Sequence, residues 1–535
     1  MSLLRYYHTL RHLRPVQFYG RLWHRFNPTS PNLLPAPALN VSTGQWIHFQ
    51  SRQPSMLGND EFEFLNVRGA SIWNDANKEK LWLYNLHYFD DLNSIGAEKR
   101  TDWHRALINK WVIENPPSLG NGWEPYPTSL RIVNWVKWSL AGNSLELTWL
   151  DSLAVQVRWL RHHLEWHLLG NHLFANAKAL IFAGLFFEGG EADDWLKKGL
   201  LILSREVSEQ ILDDGGHFEL SPMYHQIILE DLLDLLNMVL AKPGRVEGAV
   251  VSGWREVSVR MLHWLTVMRH PDGKIPFFND AAFDIAPALS VLYEYAKKVD
   301  ITPSKETGFA LFTHLVNSGY VRMEGENAVA FLDVAKIGPD YLPGHAHADT
   351  LSFELSIFSQ RVVVNSGISQ YGLGPERLRQ RGTAAHSTVQ INGENSSEVW
   401  GGFRVARRAK PIGLVVDSRA VTCAHDGYQR LHGKPVHRRR WQLGINYFQI
   451  TDVIEGGFKS AISRYFLHPN VDASLAGHSG QLKLHGGQLI NFNVEGGSVR
   501  LLDSSWHPEF GISYPNQCIE IIFEGRESNL KFVWD

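Results

Sequence analysis

The 535-residue sequence predicts an α+β protein of at least two domains, in which a helical part precedes an antiparallel β part. Apolar residues recur at helical spacing up to about residue 300, and after Thr307 the chain changes to short β-branched and aromatic runs. The length also exceeds what one hydrophobic core normally fills, which indicates more than one domain.

The helical part contains five segments in which apolar side chains recur every three or four residues. Gly and Pro interrupt the pattern between segments, as at 114–122 and 242–244. Helical hairpins of similar length could close into a toroid without a detectable sequence repeat. The predicted helices are 151–169, 171–187, 194–211, 221–240 and 254–268.

The β part contains short runs separated by turn signals such as Asn392-Gly393 and Gly456-Gly457, which is typical of antiparallel sheets. We therefore expect an N-terminal segment at 1–75, a helical domain at 76–303 and a β domain at 304–535. The predicted strands are 328–334, 361–364, 387–391 and 447–453.

The composition excludes several classes of protein. Lys plus Arg, 52, nearly balances Asp plus Glu, 55, which argues against a nucleic-acid binder. The 19 Trp, 16 Tyr and 27 Phe supply rings that can pack in cores or stack on sugars.

Cys423 and Cys518 are expected to be buried thiols. Arg and His interrupt the apolar N-terminus and no long apolar run follows, so we expect a cytoplasmic protein without a cleavable signal or membrane span.

The segment Gly344-His-Ala-His-Ala-Asp349 carries the most reactive side chains. In an extended backbone alternate residues share a face, so His345, His347 and Asp349 should project together. Without a bulge, the same face continues through Leu351 and Phe353 into a core. Two imidazoles beside a carboxylate suit metal binding or proton transfer.

A second candidate site follows Asp214. Ser221 is a natural N-cap and Pro222 fits the first helical position, which places Tyr224 in the first turn. The helix dipole should lower the pKa of Tyr224, as suits a tyrosine that acts as acid or base. Tyr224 could instead be a half-buried aromatic, and His225 a packing residue.

A third candidate is Asn171-His172. Asn171 is most simply the N-cap of the following helix. Alternatively, its amide and the imidazole of His172 form a cradle for a carboxylate, because the N-terminus of a helix favours an anion.

His347, Asn365 and His386 could converge on one metal from different strands. Their spacing is not specific, and His386 could equally be a histidine at the end of a strand.

Aromatic and basic residues cluster in stretches that could line a groove for an acidic sugar chain. Arg binds carboxylate or sulfate bidentately and Trp stacks on rings, although such stretches can also be solvated surface. The candidate substrate-binding residues are Trp123, Tyr126, Arg131, His225, Arg379, Trp400 and Arg404.

Five motifs occur in order along the chain: WEPYPTSLRIVNW (123–135), GNHLFAN (170–176), GHFELSPMYH (216–225), GHAHAD (344–349) and AHSTV (385–389). Together they resemble the heparinase II/III-like polysaccharide lyases. The resemblance implies an α/α toroid, an incomplete barrel of helical hairpins, followed by an antiparallel β-sandwich. It also implies cleavage of a uronic-acid-containing polysaccharide by β-elimination with no required cofactor; members accept heparan-type, alginate-type and other polymers, and many are periplasmic.

The resemblance also implies roles for individual residues. Tyr224 matches the family's catalytic tyrosine, His345 its catalytic histidine, and Asn171 or His172 the residue that neutralises the uronate carboxylate. Neutralisation is needed because a proton alpha to a carboxylate is only weakly acidic. His345 and Tyr224 can divide the roles of base and acid.

Two alternatives remain open at this stage. A glycoside hydrolase on the same toroid would need two carboxylates at one bond, for which Glu124, Glu219 and Asp280 are available. A glycan-binding protein without catalysis would need none of these groups.

The family's metal position differs in this sequence. His347 and His386 match ligands seen in some members, but the residue between them is usually Asp in a Val-Asp-Ser-Gly context and here it is Asn365. An amide is a weaker zinc ligand than a carboxylate, so we expect structural zinc to bind weakly or not at all, with the three residues hydrogen-bonded instead.

Overall fold

The computed structural model describes residues 3–26, 29–41, 44–302 and 308–535. The predicted boundary between 303 and 304 lies outside the described residues. Within them, a helical part is followed by two stacked antiparallel sheets, so the predicted order of the two classes of structure is confirmed.

The five predicted helices are all present, with ends shifted by up to seven residues. Short 3₁₀ turns occur at Asp90–Asn93, Ala97–Arg100, Asn121–Trp123 and Thr383–Ala385. The helices are α1 (Leu3–Leu10), α2 (Pro15–Phe26), α3 (Lys80–Tyr88), α4 (Thr101–Glu114), α5 (Pro125–Leu140), α6 (Leu147–His162), α7 (Gly170–Phe186), α8 (Gly190–Gln210), α9 (Pro222–Ala241), α10 (Gly248–Val267), α11 (Leu289–Lys298) and α12 (Pro375–Arg381).

The helices of the central part alternate between an inner and an outer layer. Almost every residue of α7 and α9 is buried, whereas α8 and α10 each bury one side. A helix that is apolar on all sides must be surrounded by other elements, and an amphipathic helix covers them from outside. The predicted toroid of helical hairpins accounts for this alternation.

The strands of the described residues pair antiparallel in two large sheets, one small sheet of three strands and one of two. They are β1 (Met56–Gly58), β2 (Glu61–Phe64), β3 (Val67–Ala70), β4 (Phe312–Leu315), β5 (Tyr320–Glu324), β6 (Ala328–Asp333), β7 (Phe353–Ile357), β8 (Gln360–Val364), β9 (Val389–Ile391), β10 (Val399–Trp400), β11 (Arg404–Val405), β12 (Pro411–Val416), β13 (Ala420–His425), β14 (Val436–Leu443), β15 (Tyr447–Glu455), β16 (Ala461–Leu467), β17 (Val471–Ala476), β18 (Ser479–Leu484), β19 (Leu489–Glu495), β20 (Gly497–Trp506), β21 (Tyr514–Phe523) and β22 (Glu527–Trp534).

The two large sheets pack face to face as a sandwich. Among the described residues, one sheet has the order β12-β13-β14-β15-β22-β19-β18-β17, and the other has β20-β21-β16-β8-β7-β6-β5-β4, with β9 paired to β16. Phe353 and Leu355 of the second sheet share a core with Trp441 and Ile450 of the first. The other face of the second sheet contributes to the core of the helical part, for example through Phe331. This sheet therefore joins the two parts of the protein.

A buried ion pair inside the sandwich supports two loops. Arg439 on β14 donates two hydrogen bonds to Asp452 on β15, at 2.7 and 2.8 Å, and both side chains are fully buried. The same guanidinium donates to the backbone oxygens of Leu351 and Ser387, at 2.9 and 2.7 Å. Leu351 is two residues from Asp349 and Ser387 is next to His386, so the ion pair helps to hold both of these segments in place.

The helices do not include a membrane span: within the described ranges, none is both long and apolar enough to cross a bilayer. Cys423 and Cys518 are buried, as the sequence predicts.

Replacing Arg439 with Met should destabilise the β part strongly, because it leaves the buried carboxylate of Asp452 without its countercharge. We expect the free energy of unfolding, measured by urea denaturation, to fall by about 3–5 kcal/mol. Arg438→Met is the matched control on the same strand, since Arg438 forms an exposed pair with Glu455 and should cost less than about 1 kcal/mol. Equal losses in the two variants would contradict this role of Arg439.

Candidate functional site

The carboxylate of Asp280 lies at the centre of the site, fully buried between the helical and β parts. His345 Nδ1 is 2.8 Å from one of its oxygens, and His347 Nε2 is 2.8 Å from the other. Arg377 donates to both oxygens, with Nη2 at 2.6 Å. Burial alone would raise the pKa of Asp280, but the charge of Arg377 and the hydrogen bonds hold it well below its ordinary value. Asp280 is therefore a permanent anion that orients two imidazoles.

The backbone at 279–280 holds the histidine loop in place. The N–H of Asp280 donates to the oxygen of His345 at 2.9 Å, and the N–H of His347 donates to Asn279 Oδ1 at 3.0 Å. The predicted continuous strand through 345–353 is wrong, because β7 begins only at Phe353 and Leu351 has a positive φ of 65°. Hydrogen bonds to 279–280 replace the sheet ladder along this loop.

Tyr224 reaches the same site from the first turn of α9. The Ser221 hydroxyl accepts the N–H of Tyr224 at 3.2 Å, so the predicted N-cap is confirmed, and it donates to the backbone oxygen of Asp280. The rings of Tyr224 and His345 lie 4.0 Å apart between centroids, and the Tyr224 hydroxyl is 2.9 Å from that of Tyr371.

The pKa of Tyr224 shifts opposite to the prediction. Burial raises it well above the ordinary value, and Tyr371 and the charges of Asp280 and Glu219 add to the rise. The helix dipole contributes only about 0.3–1 kcal/mol, which cannot offset the loss of water around a phenolate. Tyr224 is a neutral phenol, and its hydroxyl proton is available for donation.

Asn171 and His172 lie in the first turn of α7. The N-cap of this helix is Leu169, with φ 64°, so the prediction that Asn171 caps it is wrong. Asn171 is buried, and its side chain makes no hydrogen bond to any residue that the structure describes. An uncommitted carboxamide at a helix N-terminus is available for a ligand.

His172 is paired with a carboxylate. Its Nδ1 is 3.0 Å from Glu165 Oε1, and the other oxygen of Glu165 accepts a hydrogen bond from Asn176 at 3.0 Å. Burial lowers the pKa of His172, but the charge and hydrogen bond of Glu165 outweigh it and raise the pKa above the ordinary value. The His172 side chain is 31% exposed, so a ligand can reach the imidazole.

Glu219 lies between these groups. Its Oε2 is 3.9 Å from His345 Nε2, and a Cβ at Gly170 would lie 2.9 Å from its Oε1. Neither of its buried oxygens has a well-formed hydrogen bond among the described residues. Burial raises the pKa of Glu219, and the charges of His345 and His172 offset this only in part. Glu219 thus lies between the start of α7 and His345.

A second cluster adjoins the first through His347. Ligand atoms of His347, Asp349 and His386 lie within 4.8 Å of one another, and all three residues are buried. His347 Nδ1 is 3.2 Å from His386 Nε2. Two imidazoles and a carboxylate form a donor set that suits zinc, and the Asp280 contact to the other nitrogen of His347 is the outer-shell partner such a ligand needs.

Asn365 does not belong to this cluster, which corrects the predicted ligand set. Its Nδ2 donates to the backbone oxygen of Phe277 at 2.9 Å, and its Oδ1 accepts the N–H of Ser387 at 3.1 Å. The carboxamide is therefore used to connect backbone segments. The carboxylate of the cluster is that of Asp349.

The predicted substrate-binding residues lie in different parts of the protein. Tyr126 is half-buried, with its ring 4.5 Å from that of His172, and therefore lies at the site. Arg379 and Arg404 are exposed on the β part. Trp400 packs against α1, since its ring is 5.1 Å from Tyr6 and its Nε1 donates to Thr9.

Three of these residues are buried components of the helical part. Arg131 is fully buried and donates to Gln156 and to the backbone oxygens of His87 and Gly122. Trp123 and His225 are also buried and hydrogen-bond to backbone oxygens. Their burial and their hydrogen bonds within the protein argue against the predicted substrate contacts.

Four residues of the site were not singled out with these roles from the sequence: Asp280 as the central anion, Glu165, Tyr371 and Arg377. Only Arg377 had a readable signal. Arg377 and Arg381 are four positions apart on α12 and both face inward, whereas Arg379 between them faces solvent.

Comparison with known proteins supports a family assignment. The sequence profile of the heparinase II/III N-terminus matches residues 77–307, and that of the heparinase II/III-like C-terminal domain matches 310–535. A heparin-sulfate lyase of Bacteroides stercoris is 28% identical over 318 residues, which is 56% of this chain and 46% of the relative. A heparin-sulfate lyase of Pedobacter heparinus is 27% identical over 364 residues, with 61% and 54% covered. The chain thus spans about half the length of the curated relatives it matches.

Solved structures show the same fold. A heparinase III superposes with a TM-score of 0.73 at 18% identity, over 97% of this chain and 89% of that one. A second heparinase III gives 0.63 at 19% identity, over 86% and 80%. These matches confirm the toroid followed by the β-sandwich. Since the two profiles together cover most of the sequence, the chain belongs to the heparinase II/III-like family.

Proposed function

We propose that this chain is a polysaccharide lyase that cleaves a uronic-acid-containing acidic polysaccharide by β-elimination. The observation that carries the proposal is the contact of Tyr224 with His345, which is held by Asp280, beside the Asn171 and His172 pair at the start of α7. The curated relatives are named heparin-sulfate lyases, which favours a glycosaminoglycan as substrate.

The reaction requires that the uronate carboxylate be neutralised first. The uncommitted carboxamide of Asn171 donates a hydrogen bond, and His172, whose protonated form Glu165 stabilises, adds a positive charge. Both groups lie where the helix N-terminus favours an anion. They lower the cost of the negative charge that develops on the carboxylate when the C5 proton leaves.

His345 is proposed as the base and Tyr224 as the acid. The Asp280 anion accepts the Nδ1 proton of His345, so Nε2 is left with a lone pair that can take the C5 proton. The electron pair of the C5–H bond forms the C4–C5 double bond while the C4–O4 bond breaks. The phenol of Tyr224, kept neutral by its raised pKa, gives its proton to O4. The products are an alcohol and an unsaturated uronate.

The geometry does not favour a hydrolase. Both oxygens of Asp280 are occupied by Arg377 and the two histidines, so Asp280 has no position for a sugar or water. Glu124 pairs with Lys80 at 3.0 Å. Glu219 therefore lacks a second carboxylate across a glycosidic bond.

A metal, where bound, would be held by His347, Asp349 and His386. It would cross-link the loop that contains His345 to the segment that contains His386. The proton transfers proposed above use only side chains of the protein.

Tyr224→Phe should lower kcat/KM by roughly 10²–10⁴-fold, because it removes the proposed acid. Glu219→Gln should retain activity within about tenfold, because the proposed proton transfers use His345 and Tyr224 and do not use the Glu219 carboxylate. A panel of acidic polysaccharides, followed by the ultraviolet absorbance of the unsaturated product, measures both. Saturated products, or loss of activity in Glu219→Gln but not in Tyr224→Phe, would support a hydrolase instead.

The division of acid and base can be tested by deuterium exchange at C5 in heavy water. Tyr224→Phe should still exchange this proton and should still eliminate a good leaving group at C4, since neither process needs an acid. His345→Gln should lose both. Tyr371→Phe is the control, since it removes only the partner of the Tyr224 hydroxyl. Loss of exchange in Tyr224→Phe would make the tyrosine the base.

The raised pKa of His172 predicts the pH dependence of substrate binding. The protonated form binds the uronate, so KM should be constant below the ordinary histidine pKa of about 6.5 and should rise as pH increases through the higher pKa of His172. Glu165→Gln should move this rise to lower pH, because it removes the charge that stabilises protonated His172.

In His172→Gln the rise in KM should disappear, with KM near the high-pH value of the wild type. His432→Gln, at an exposed position, is the control and should keep the wild-type profile. A KM that falls as pH increases, or a His172→Gln profile like that of the wild type, would contradict the role of His172.

A further inference from the structure

The two N-terminal helices present an unusual concentration of exposed apolar side chains. On α1, Leu3, Tyr7 and Leu10 are exposed, and Leu3 is 88% accessible. On α2, Phe18, Leu22, Trp23 and Phe26 are exposed, and Trp23 is 62% accessible. Their spacing of three or four residues makes a stripe along each helix. Contiguous apolar surface of this kind on a folded protein marks an interaction site.

The opposite sides of these helices are attached to the body of the protein. Thr9 accepts a hydrogen bond from Trp400 at 3.1 Å, and Gln17 donates to the backbone oxygen of Tyr341 at 3.2 Å. Arg14 forms an ion pair with Glu209. The packing at Gly20 is also close, since a Cβ there would lie 3.1 Å from the backbone nitrogen of His167. The apolar stripes therefore lie on the solvent-exposed side of the two helices, whose other side is attached to the protein.

The charge of this region is one-sided. Residues 1–59 contain no Asp or Glu, and the segment 3–26 contains five Arg. Arg11, Arg21 and Arg25 are exposed among the apolar side chains. Arginine remains charged at any physiological pH. The surface thus combines permanent positive charge with Trp, Tyr, Phe and Leu.

We propose that α1 and α2 dock the protein onto an anionic lipid bilayer. Leu, Phe and Trp would enter the boundary between headgroups and acyl chains, and the arginines would contact lipid phosphates, as in helices that lie in the membrane interface. The helices have lengths of about 12 and 18 Å, which suits lying in the interface and is too short for spanning it.

The charge pattern favours a bilayer over a second copy of the chain. Self-association through this surface would bring two acid-free, arginine-rich segments together, and like charges at an interface are unfavourable. An anionic bilayer supplies both the negative charge and the apolar phase that the surface lacks.

The test is sedimentation of the full chain with vesicles of phosphatidylcholine alone and with mixed phosphatidylcholine and phosphatidylglycerol vesicles. We expect binding to the mixed vesicles that weakens with salt. Arg21→Gln combined with Arg25→Gln should weaken binding by about 30-fold. Leu22→Ser, Trp23→Ser and Phe26→Ser combined should weaken it by at least roughly tenfold.

Matched controls replace residues exposed elsewhere on the surface. Leu147→Ser with Ile445→Ser, and Arg419→Gln with Arg526→Gln, should bind as the wild type does. Circular dichroism checks that every variant is folded. Equal binding to both kinds of vesicle, or none to either, would overturn the proposal. So would a dimer in analytical ultracentrifugation that the triple variant converts to a monomer, because a second copy would then occupy the surface.

Discussion

The neutralised charge of Asp280 is the interaction on which the site depends. A carboxylate without access to water is stable only when other groups compensate it, and here Arg377 provides the positive charge. With its charge fixed, Asp280 can accept hydrogen bonds from two imidazoles of one loop and set which nitrogen of each remains open. His345 faces Tyr224, and His347 faces His386. One anion therefore connects the proposed proton-transfer site with the candidate metal cluster.

Features that depend on neighbours in sequence could be predicted well. The limits of α7 and α9 agree with the predicted helices to within one residue, because apolar spacing and the Ser221-Pro222 start are local signals. The change from helix to strand near residue 307 was also readable from residue types. Where a loop is held by distant polar groups, the same reasoning failed. The segment 345–352 has the alternation of a strand, but its backbone hydrogen bonds go to 279–280, Asp333 and Arg381.

Features that depend on contacts between distant segments could not be predicted from residue types. Asp280 is 65 positions from His345 and 97 from Arg377, and nothing in its local sequence marks it as their partner. The pKa of Tyr224 was predicted with the wrong sign for the same reason. The helix dipole is visible in the sequence, whereas burial by residues such as Tyr371 is not. Arg131 is an example in the other direction. Its place in an aromatic motif indicated a substrate contact, but its guanidinium donates hydrogen bonds inside the helical part.

The site is assembled from both parts of the chain: Asn171, Tyr224 and Asp280 precede residue 303, and His345, Tyr371 and Arg377 follow residue 308. Neither part holds a complete set of proton-transfer groups. Any separation of the two parts by heat or denaturant would therefore inactivate the protein. The stability of the contact between the two parts thus limits how long the protein stays active.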